Sequence, residues 1–201
     1  MKAALFSGGK DSVYAALLEW PVDIFVTFVY EFPRPSPHLL NLPKVVELAN
    51  ALGVPLAILK VDRGRELEQE AAFLRKLGVS ELVAGDQAVE DHLKYMERLA
   101  GEAGARLREP LWGLDPGELL LREAEAMDFL VIGAGAADLV CDLVGRRNAE
   151  AFLGKARALG VDPIGERGEY HTLAVRVGGR GSISYRCRDV GRYGDYYIAL
   201  L

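Results

Sequence analysis

The feature that most constrains this chain is the regular alternation of short apolar runs with amphipathic runs through its first two thirds. Apolar runs rich in Val, Ile and Phe are typical of buried strands, and apolar residues spaced three or four apart are typical of helices. We predict strands at 2–6, 23–30, 56–61, 81–84 and 128–132, a short extended segment at 106–111, and helices at 11–20, 44–52, 67–77, 89–103, 117–126 and 149–159. Such alternation predicts an α/β fold with a parallel, doubly wound sheet.

The alternation stops near Gly165. The runs 173–177, 182–188 and 193–200 carry no helix signal and are separated by glycines, which predicts a small antiparallel β addition at the C-terminus. We therefore divide the chain into an α/β domain at 1–135 and a smaller α+β portion at 136–201. Prolines at positions 33, 35, 37 and 43 predict a loop between the second strand and the next helix.

Composition excludes several classes of protein. With 201 residues, 50% of them hydrophobic and 26% charged, the chain has enough apolar surface to form a core, so general disorder is excluded. The longest strongly apolar stretch, 24–30, is far shorter than the roughly 20 residues that a bilayer span needs. The N-terminus does not fit a signal peptide. A net charge of −5 argues against a large nonspecific nucleic-acid surface and leaves room only for a local basic patch.

The two cysteines, Cys141 and Cys187, are too few for a disulfide framework or a four-cysteine zinc site. We interpret Cys141 as a small buried apolar residue in preference to a nucleophile, and we expect a reducing cytoplasm. The three histidines have no zinc-ligand spacing, so a zinc site is not predicted.

A glycine-rich turn follows the first predicted strand and opens the first predicted helix. It reads Ser-Gly-Gly-Lys-Asp-Ser at 7–12. Ligands of open parallel sheets bind beyond the carboxyl ends of the strands, and the amides of a helix N-terminus favour an anion there. Glycines allow close approach, Ser7 and Ser12 add hydroxyl donors, Lys10 adds a cation, and Asp11 suits magnesium better than phosphate. The spacing matches neither Walker A nor the dinucleotide fingerprint, and the bland alternative is an ordinary turn.

This turn resembles the PP-loop of the N-type ATP pyrophosphatases, which share the adenine nucleotide α-hydrolase fold. Further segments resemble the diphthine–ammonia ligase family within that group. They are Pro-Leu-Trp-Gly at 110–113 with Glu-Leu-Leu at 118–120, Gly-Glu-Arg-Gly-Glu-Tyr-His-Thr at 165–172, Val-Ala-Gly-Asp at 83–86, Pro-His at 37–38, Leu-Val-Gly-Arg at 143–146 and Asp-Tyr-Tyr at 195–197. Together they extend over nearly the whole chain.

The resemblance implies an enzyme that cleaves ATP between the α and β phosphates, transfers AMP to a carboxylate and releases pyrophosphate. Ammonia or a small amine then displaces AMP to form an amide. Archaeal and eukaryotic members carry a Ser-x-Tyr-Gln-Arg-x-Arg run, whereas this chain has Gln-Ala-Val-Glu-Asp-His-Leu-Lys-Tyr at 87–95, as in bacterial relatives. The resemblance therefore implies the ATP chemistry and leaves the acceptor open.

The remaining candidate residues follow from these segments. Catalytic roles are predicted for Lys10, Asp11, Glu166 and Glu169, with Asp11 also the magnesium ligand. Nucleotide binding is predicted for Ser7, Gly8, Gly9, Lys10, Asp11, Ser12, Val29, His38, Gly85 and Gly133. Substrate binding is predicted for Asp86, Asp91, His92, Trp112, Arg146, Gly165, Gly168, Glu169 and Thr172.

Several of these residues have structural alternatives. Glu166 and Glu169 could hold an ammonium group, a cationic substrate or magnesium, or be solvated loop charges. His38 could cover the nucleotide or lie on the surface. His92 with Glu90 and Asp91 could bind the acceptor, or Glu90 and Asp91 could simply complement a helix dipole. Gly133 could line the nucleotide pocket or only turn the chain, Arg146 could bind an anion or be solvated, and Thr172 could begin a strand. His171 is interpreted as structural, because strand alternation directs it away from its neighbours.

We therefore expect an ATP- and Mg²⁺-dependent ligase that acts in the cytoplasm on an unknown carboxylate acceptor, such as a protein side chain. A tRNA-modifying PP-loop enzyme and a nucleotide-binding protein without turnover are the alternatives. A homodimer stays open, and no membrane or nucleic-acid partner is expected.

Overall fold

The computed structural model of the protein describes residues 1–31 and 35–201, and within this range it leaves the side chain of Arg188 undescribed. The first half forms β1 (Lys2–Leu5), α1 (Lys10–Leu18), β2 (Ile24–Val29), α2 (Pro37–Leu40), α3 (Leu42–Ala51), β3 (Leu56–Lys60), α4 (Glu66–Leu77), β4 (Glu81–Val83), α5 (Glu90–Ala103) and β5 (Arg106–Arg108). The second half forms α6 (Pro116–Ala126), β6 (Met127–Ala134), a 3₁₀ turn (Ala137–Leu139), β7 (Leu143–Val144), α7 (Ala149–Ala158), β8 (Tyr170–Val177), β9 (Gly181–Ser182), β10 (Arg188–Tyr193) and β11 (Tyr196–Leu200).

The first five strands form a parallel sheet in the order β3-β2-β1-β4-β5. The order reverses at β1, which pairs with β2 on one side and with β4 on the other. Both faces are covered, since Ala3 of β1 belongs to a core with α4 and α5, while its neighbour Ala4 belongs to the main core. The prediction of an α/β fold with a parallel sheet is confirmed.

A separate antiparallel sheet has the order β10-β11-β6-β8-β9, with β7 also paired to β6. Its central strands supply Phe129, Leu130 and Leu173 to the main core, where they meet Leu119 and Leu120 of α6 and Leu48 of α3. The predicted antiparallel addition is thus confirmed, and it packs against the parallel sheet's helices through one continuous apolar cluster.

The antiparallel part begins earlier than the sequence predicts. β6 covers the predicted strand 128–132, but it pairs antiparallel with β8 and β11. A buried apolar strand has the same residue pattern in a parallel and in an antiparallel sheet, so the sequence does not indicate which strands it pairs with. The boundary at residue 135 between the two proposed domains stays a prediction.

The proline-rich segment is not the continuous loop that the prolines predict. Pro37 occupies the first turn of α2 and Pro43 the first turn of α3, positions where the missing N–H costs little. Pro35 precedes α2 without regular structure, and Pro33 lies outside the described residues.

The two cysteines correct the expectation of a free, buried thiol. Cys141 follows the 3₁₀ turn and Cys187 precedes β10, with their Cα atoms 5.8 Å apart and a disulfide joining their sulfur atoms. The two cysteines are 46 positions apart, so the bond ties the turn before β7 to the segment before β10. Among the described helices, none has the length and apolar character needed to cross a membrane.

We expect reduction of the Cys141–Cys187 bond to lower the free energy of unfolding by about 2–4 kcal/mol, because the open chain regains conformational freedom in the unfolded state. Urea unfolding with and without a thiol reductant measures this difference. The double variant Cys141→Ser/Cys187→Ser is the control and should not respond to reductant. Equal stability of the oxidised and reduced wild-type protein would contradict the expectation.

Candidate functional site

A cavity of about 430 Å³ opens at the carboxyl ends of β1, β2 and β4, within the size range of small-molecule sites. It lies at the point where the strand order reverses, the usual ligand position in open α/β sheets. Its polar and ionisable lining consists of Ser7, Asp11, Ser12, Thr27, Tyr30, Ser36, His38, Asp86, His92, Glu166, Tyr170, His171 and Thr172.

The turn at residues 7–12, which we call the PP-loop, forms one wall of the cavity. Ser7 Oγ lies 3.1 Å from Ser12 Oγ and accepts a hydrogen bond from Gly9 N at 3.2 Å. Ser12 Oγ donates to Gly9 O at 3.0 Å, so the two hydroxyls cross-link the turn. The amides of the first turn of α1 begin here, and their partial positive charge favours an anion at this wall.

Strand β8 supports the PP-loop from behind. Ala174 N donates to Gly8 O at 2.8 Å, and Lys10 N donates to Thr172 Oγ1 at 3.0 Å. Gly8 has a φ of +76°, and a Cβ there would lie 2.9 Å from Leu173 Cδ1. Glycine is therefore required at this position both by its backbone conformation and by the close packing of β8.

Lys10 does not face the cavity but lies fully buried beneath the PP-loop. Its Nζ is 2.5 Å from Asp11 Oδ1 and 3.1 Å from Oε2 of Glu123, an α6 residue that is also fully buried. Burial alone would lower the pKa of Lys10, but the carboxylates of Asp11 and Glu123 raise it above its ordinary value. Burial raises the pKa of Glu123, against the attraction of Lys10. The charge of Lys10 is thus neutralised inside the protein.

An acidic group of side chains also lines the cavity, beginning directly after Gly85, which packs against the backbone of Asp11. Asp86 Oδ1 lies 3.2 Å from His92 Nδ1, and Asp86 N donates to Glu109 Oε2 at 3.2 Å. Glu166 Oε1 accepts from Gln87 N at 2.9 Å, which holds the loop before β8 against the turn after β4. Burial raises the pKa of Asp86, and burial with the nearby charge of Asp86 raises the pKa of Glu109 to about 8.

Two histidines meet beside the PP-loop. The rings of His38 and His171 lie 5.3 Å apart in an edge-on arrangement. Burial, and then the neighbouring His171, lower the pKa of His38 to about 3, and burial lowers the pKa of His171 as well. Both are neutral near pH 7. His171 lines the cavity, whereas strand alternation predicts a structural place for it, directed away from its neighbours. The β6–β8 register shifts between Val131 and Gly133, next to its pairing position.

The far side of the cavity, below β2, is fixed by a buried carboxylate. Glu70 on α4 accepts from Tyr30 Oη at 2.8 Å and from Tyr95 Oη at 2.9 Å. Thr27 Oγ1 donates to Phe6 O and ties β2 to the end of β1. The sequence carries no signal for Glu70, Glu109 or Glu123, because each looks like an ordinary charged residue of a helix or a strand end.

The structure brings twelve of the predicted residues together around the cavity. They are Ser7, Gly9, Asp11, Ser12, His38, Gly85, Asp86, His92, Gly165, Glu166, Gly168 and Thr172. Gly8 lies immediately behind the PP-loop, as described above.

Other predicted residues lie elsewhere. Asp91 is a 93% exposed side chain near Lys94, and Arg146 is exposed and pairs with Glu125 at 3.1 Å. Three more do not line the cavity: Gly133 packs beneath Pro37, Trp112 lies in the turn after β5, and Val29 lies at the end of β2. Glu169 Oε2 accepts from Arg167 N at 3.0 Å within its own turn.

The cavity suits a nucleotide with magnesium. The PP-loop offers hydroxyls and first-turn amides for phosphate oxygens. Gly9 keeps this wall open, since a Cβ there would lie 3.2 Å from His38 Cε1 and 3.3 Å from Thr172 O. Asp11 lines the same wall, and a carboxylate is the ligand type that magnesium prefers.

Residues 1–107, just over half of the chain, match the family model described as "Diphthamide synthase N-terminal domain". The chain is also similar in structure to a protein from Methanocaldococcus jannaschii described as a predicted subunit of tRNA methyltransferase, with a TM-score of 0.47 and 18% sequence identity. That similarity covers 90% of this chain and 99% of the other. No curated protein matches the chain.

We expect Lys10→Met alone to lower the free energy of unfolding by about 3–5 kcal/mol, because it leaves the buried carboxylate of Glu123 without its counter-ion. Glu123→Leu alone should cost less, because Lys10 keeps its ion pair with Asp11. The double variant Lys10→Met/Glu123→Leu should recover most of that loss, since apolar side chains of similar size replace both. Urea unfolding of all four proteins gives the coupling directly.

The control for this cycle is Glu68→Gln, which breaks an exposed pair with Arg65 and should leave stability unchanged. Additive losses in the Lys10→Met/Glu123→Leu protein would show that the two side chains do not depend on each other.

Proposed function

This chain belongs to the diphthamide synthase N-terminal domain family, a PP-loop family, and we propose that it is an ATP-dependent, amide-forming ligase. The family match includes residues 7–12 and confirms the resemblance that they predict from sequence, whereas residues 165–172 lie outside the matched range. Membership supports an enzyme that uses ATP. The ligase reaction, its acceptor and its nitrogen source are the proposed part.

The observation that carries the proposal is that one cavity combines an anion-binding loop with acidic side chains. The PP-loop supplies hydroxyls and helix amides to an anion, and Asp86 and Glu166 line the same cavity. A triphosphate on the PP-loop would leave its α-phosphorus open to the cavity, where the acceptor and an amine can approach. Holding the reactants in line is the main task of such a site.

In the proposed reaction, a carboxylate oxygen of the acceptor attacks the α-phosphorus of ATP. The bond to the bridging oxygen breaks, and pyrophosphate leaves while held by the PP-loop, where the Gly9 amide and the Ser12 hydroxyl would exchange their bonds to Ser7 Oγ and Gly9 O for phosphate oxygens. Ammonia or a small amine then attacks the acyl carbon, loses a proton, and displaces AMP. Preorganised donors stabilise the charge that develops on the phosphates.

Lys10 has a different role here from the one that the motif predicts. Its ammonium is held by Asp11 and Glu123 beneath the loop, so it supports the PP-loop instead of contacting phosphate. Asp11 would bind magnesium, which supplies neutralising charge to the phosphates when bound. Glu166 faces the acceptor side, and Glu169 would act through the turn that carries Glu166.

We propose a protein or small-molecule carboxylate as acceptor and the cytoplasm as the site of action, where ATP is available. The sequence run at 87–95, which lacks the Gln and Arg of archaeal and eukaryotic relatives, supports an acceptor other than diphthine. His92 in that run lines the cavity and would contact the acceptor.

We expect calorimetry to show micromolar binding of Mg²⁺·ATP to the wild-type protein and its loss in Asp11→Ala/Ser12→Ala, because the variant lacks the magnesium ligand and one cross-link of the PP-loop. Ser182→Ala is the control, since Ser182 is an exposed residue of β9. A folded wild-type protein that binds no ATP would contradict the proposal.

We expect Ser12→Ala to reduce acceptor-dependent release of pyrophosphate by about 100–1,000-fold, the usual effect of removing one donor to developing charge. Pyrophosphate release is followed with a panel of carboxylates, and ¹⁵N-ammonium reports on amide formation. ATP that stays bound and intact with every acceptor would favour a non-catalytic nucleotide-binding protein. Turnover only with tRNA would favour the tRNA-modifying alternative.

A further inference from the structure

Three potential metal ligands from distant parts of the chain converge in the acidic part of the cavity. Asp86 follows β4, His92 lies in the first turn of α5, and Glu166 lies in the loop before β8. One donor atom of each lies within 4.8 Å of the other two. Two of these atoms, Asp86 Oδ1 and His92 Nδ1, are already 3.2 Å apart.

The surrounding backbone holds these side chains in place. Glu166 Oε1 accepts from the amides of Gln87 and Ala88, at 2.9 and 3.2 Å. These amides follow Asp86 directly, so the carboxylate of Glu166 is tied to the turn that carries Asp86. A site held by backbone contacts from two segments is more rigid than a group of surface charges.

A fourth carboxyl group gives an independent indication of a missing ligand. Glu109 Oε2 accepts from Asp86 N, whereas Glu109 Oε1 is buried and has no hydrogen-bond partner among the described residues. A buried polar atom without a partner calls for an explanation, and an ion is one of the usual ones. A cation beside Asp86 would also offset the repulsion between the carboxylates of Asp86, Glu109 and Glu166.

We propose that Asp86, His92 and Glu166 bind a divalent first-row transition-metal ion such as Mn²⁺ or Zn²⁺. An imidazole with two carboxylates suits these ions, whereas Mg²⁺ prefers oxygen ligands alone. Two donors bound to one ion at about 2.1 Å lie at most about 4.2 Å apart. The three donor atoms here lie within 4.8 Å of one another, so small side-chain rotations bring them to metal-binding distance. Three protein ligands leave coordination positions open towards the cavity.

The ion would bind an oxygen of the acceptor carboxylate and hold it in the cavity that the PP-loop also lines. This role rests on the proposed function, but the metal site itself does not, because it needs no nucleotide. It is also separate from magnesium at Asp11, which belongs to the PP-loop wall.

The test is a titration of the nucleotide-free, full-length protein with Mn²⁺, with free Mn²⁺ measured by electron paramagnetic resonance. We expect one site in the wild-type protein and at least tenfold weaker binding in Asp86→Asn and in Glu166→Gln. Asp91→Asn is the matched control, since it removes the same charge beside His92 in the first turn of α5, at a 93% exposed side chain. Thermal unfolding of each variant reports whether it is folded.

The imidazole is tested with Co²⁺, whose visible absorption depends on its ligands. His92→Gln should change this spectrum and weaken binding, and the substitution is tolerable because the His92 side chain is 54% exposed. A tenfold excess of Mg²⁺ should leave Mn²⁺ bound.

The inference is overturned if the wild-type protein binds neither Mn²⁺ nor Zn²⁺, if Asp91→Asn weakens binding as much as Asp86→Asn, or if Mg²⁺ displaces Mn²⁺ at equal concentration. The same samples are titrated with Mg²⁺·ATP. A wild-type protein that binds Mn²⁺ but not ATP would count against the proposed function alone. A wild-type protein that binds ATP but not Mn²⁺ would count against the metal site alone.

Discussion

The hydrogen bonds between β8 and the PP-loop are the interaction on which the rest of the site depends. Gly8 O and Lys10 N both bond to this one strand of the antiparallel sheet, while the loop itself begins at the end of a parallel strand. The cavity is therefore built between two sheets and is not a property of either one. The shared apolar core, to which both sheets contribute, fixes their relative position.

Neutralisation of Lys10 inside the protein shapes the chemistry of the cavity. A lysine in a phosphate-binding turn is usually taken as a phosphate ligand, but this one is held by Asp11 and Glu123. Anion recognition then falls to hydroxyls and amides, whose geometry is fixed by the backbone. The ammonium of Lys10 is therefore not available to Asp86 and Glu166, which line the cavity. A metal ion or a cationic group suits these two carboxylates for that reason.

The sequence predicts the parallel half well, because buried strands, amphipathic helices and terminating glycines such as Gly78 and Gly104 are local signals. It also predicts which turn lines the cavity. It could not predict the partners of β6, since an apolar strand fits either sheet, nor the pairing of Cys141 with Cys187, since spacing alone does not bring two residues together. The direction of the Lys10 side chain and the convergence of Asp86, His92 and Glu166 depend on tertiary packing.

The separation along the chain between the PP-loop and its supporting strand has a consequence for biosynthesis. The ribosome makes residues 7–12 long before Thr172, which accepts from Lys10 N and follows 162 residues later. Domains fold as they emerge, so the five parallel strands can assemble while the PP-loop still lacks its two hydrogen bonds to β8. Glu123 also emerges late, and until then Lys10 has only Asp11 as a counter-ion. The cavity is thus completed only after β8 has been made, and a nascent chain carries the motif before it carries the site.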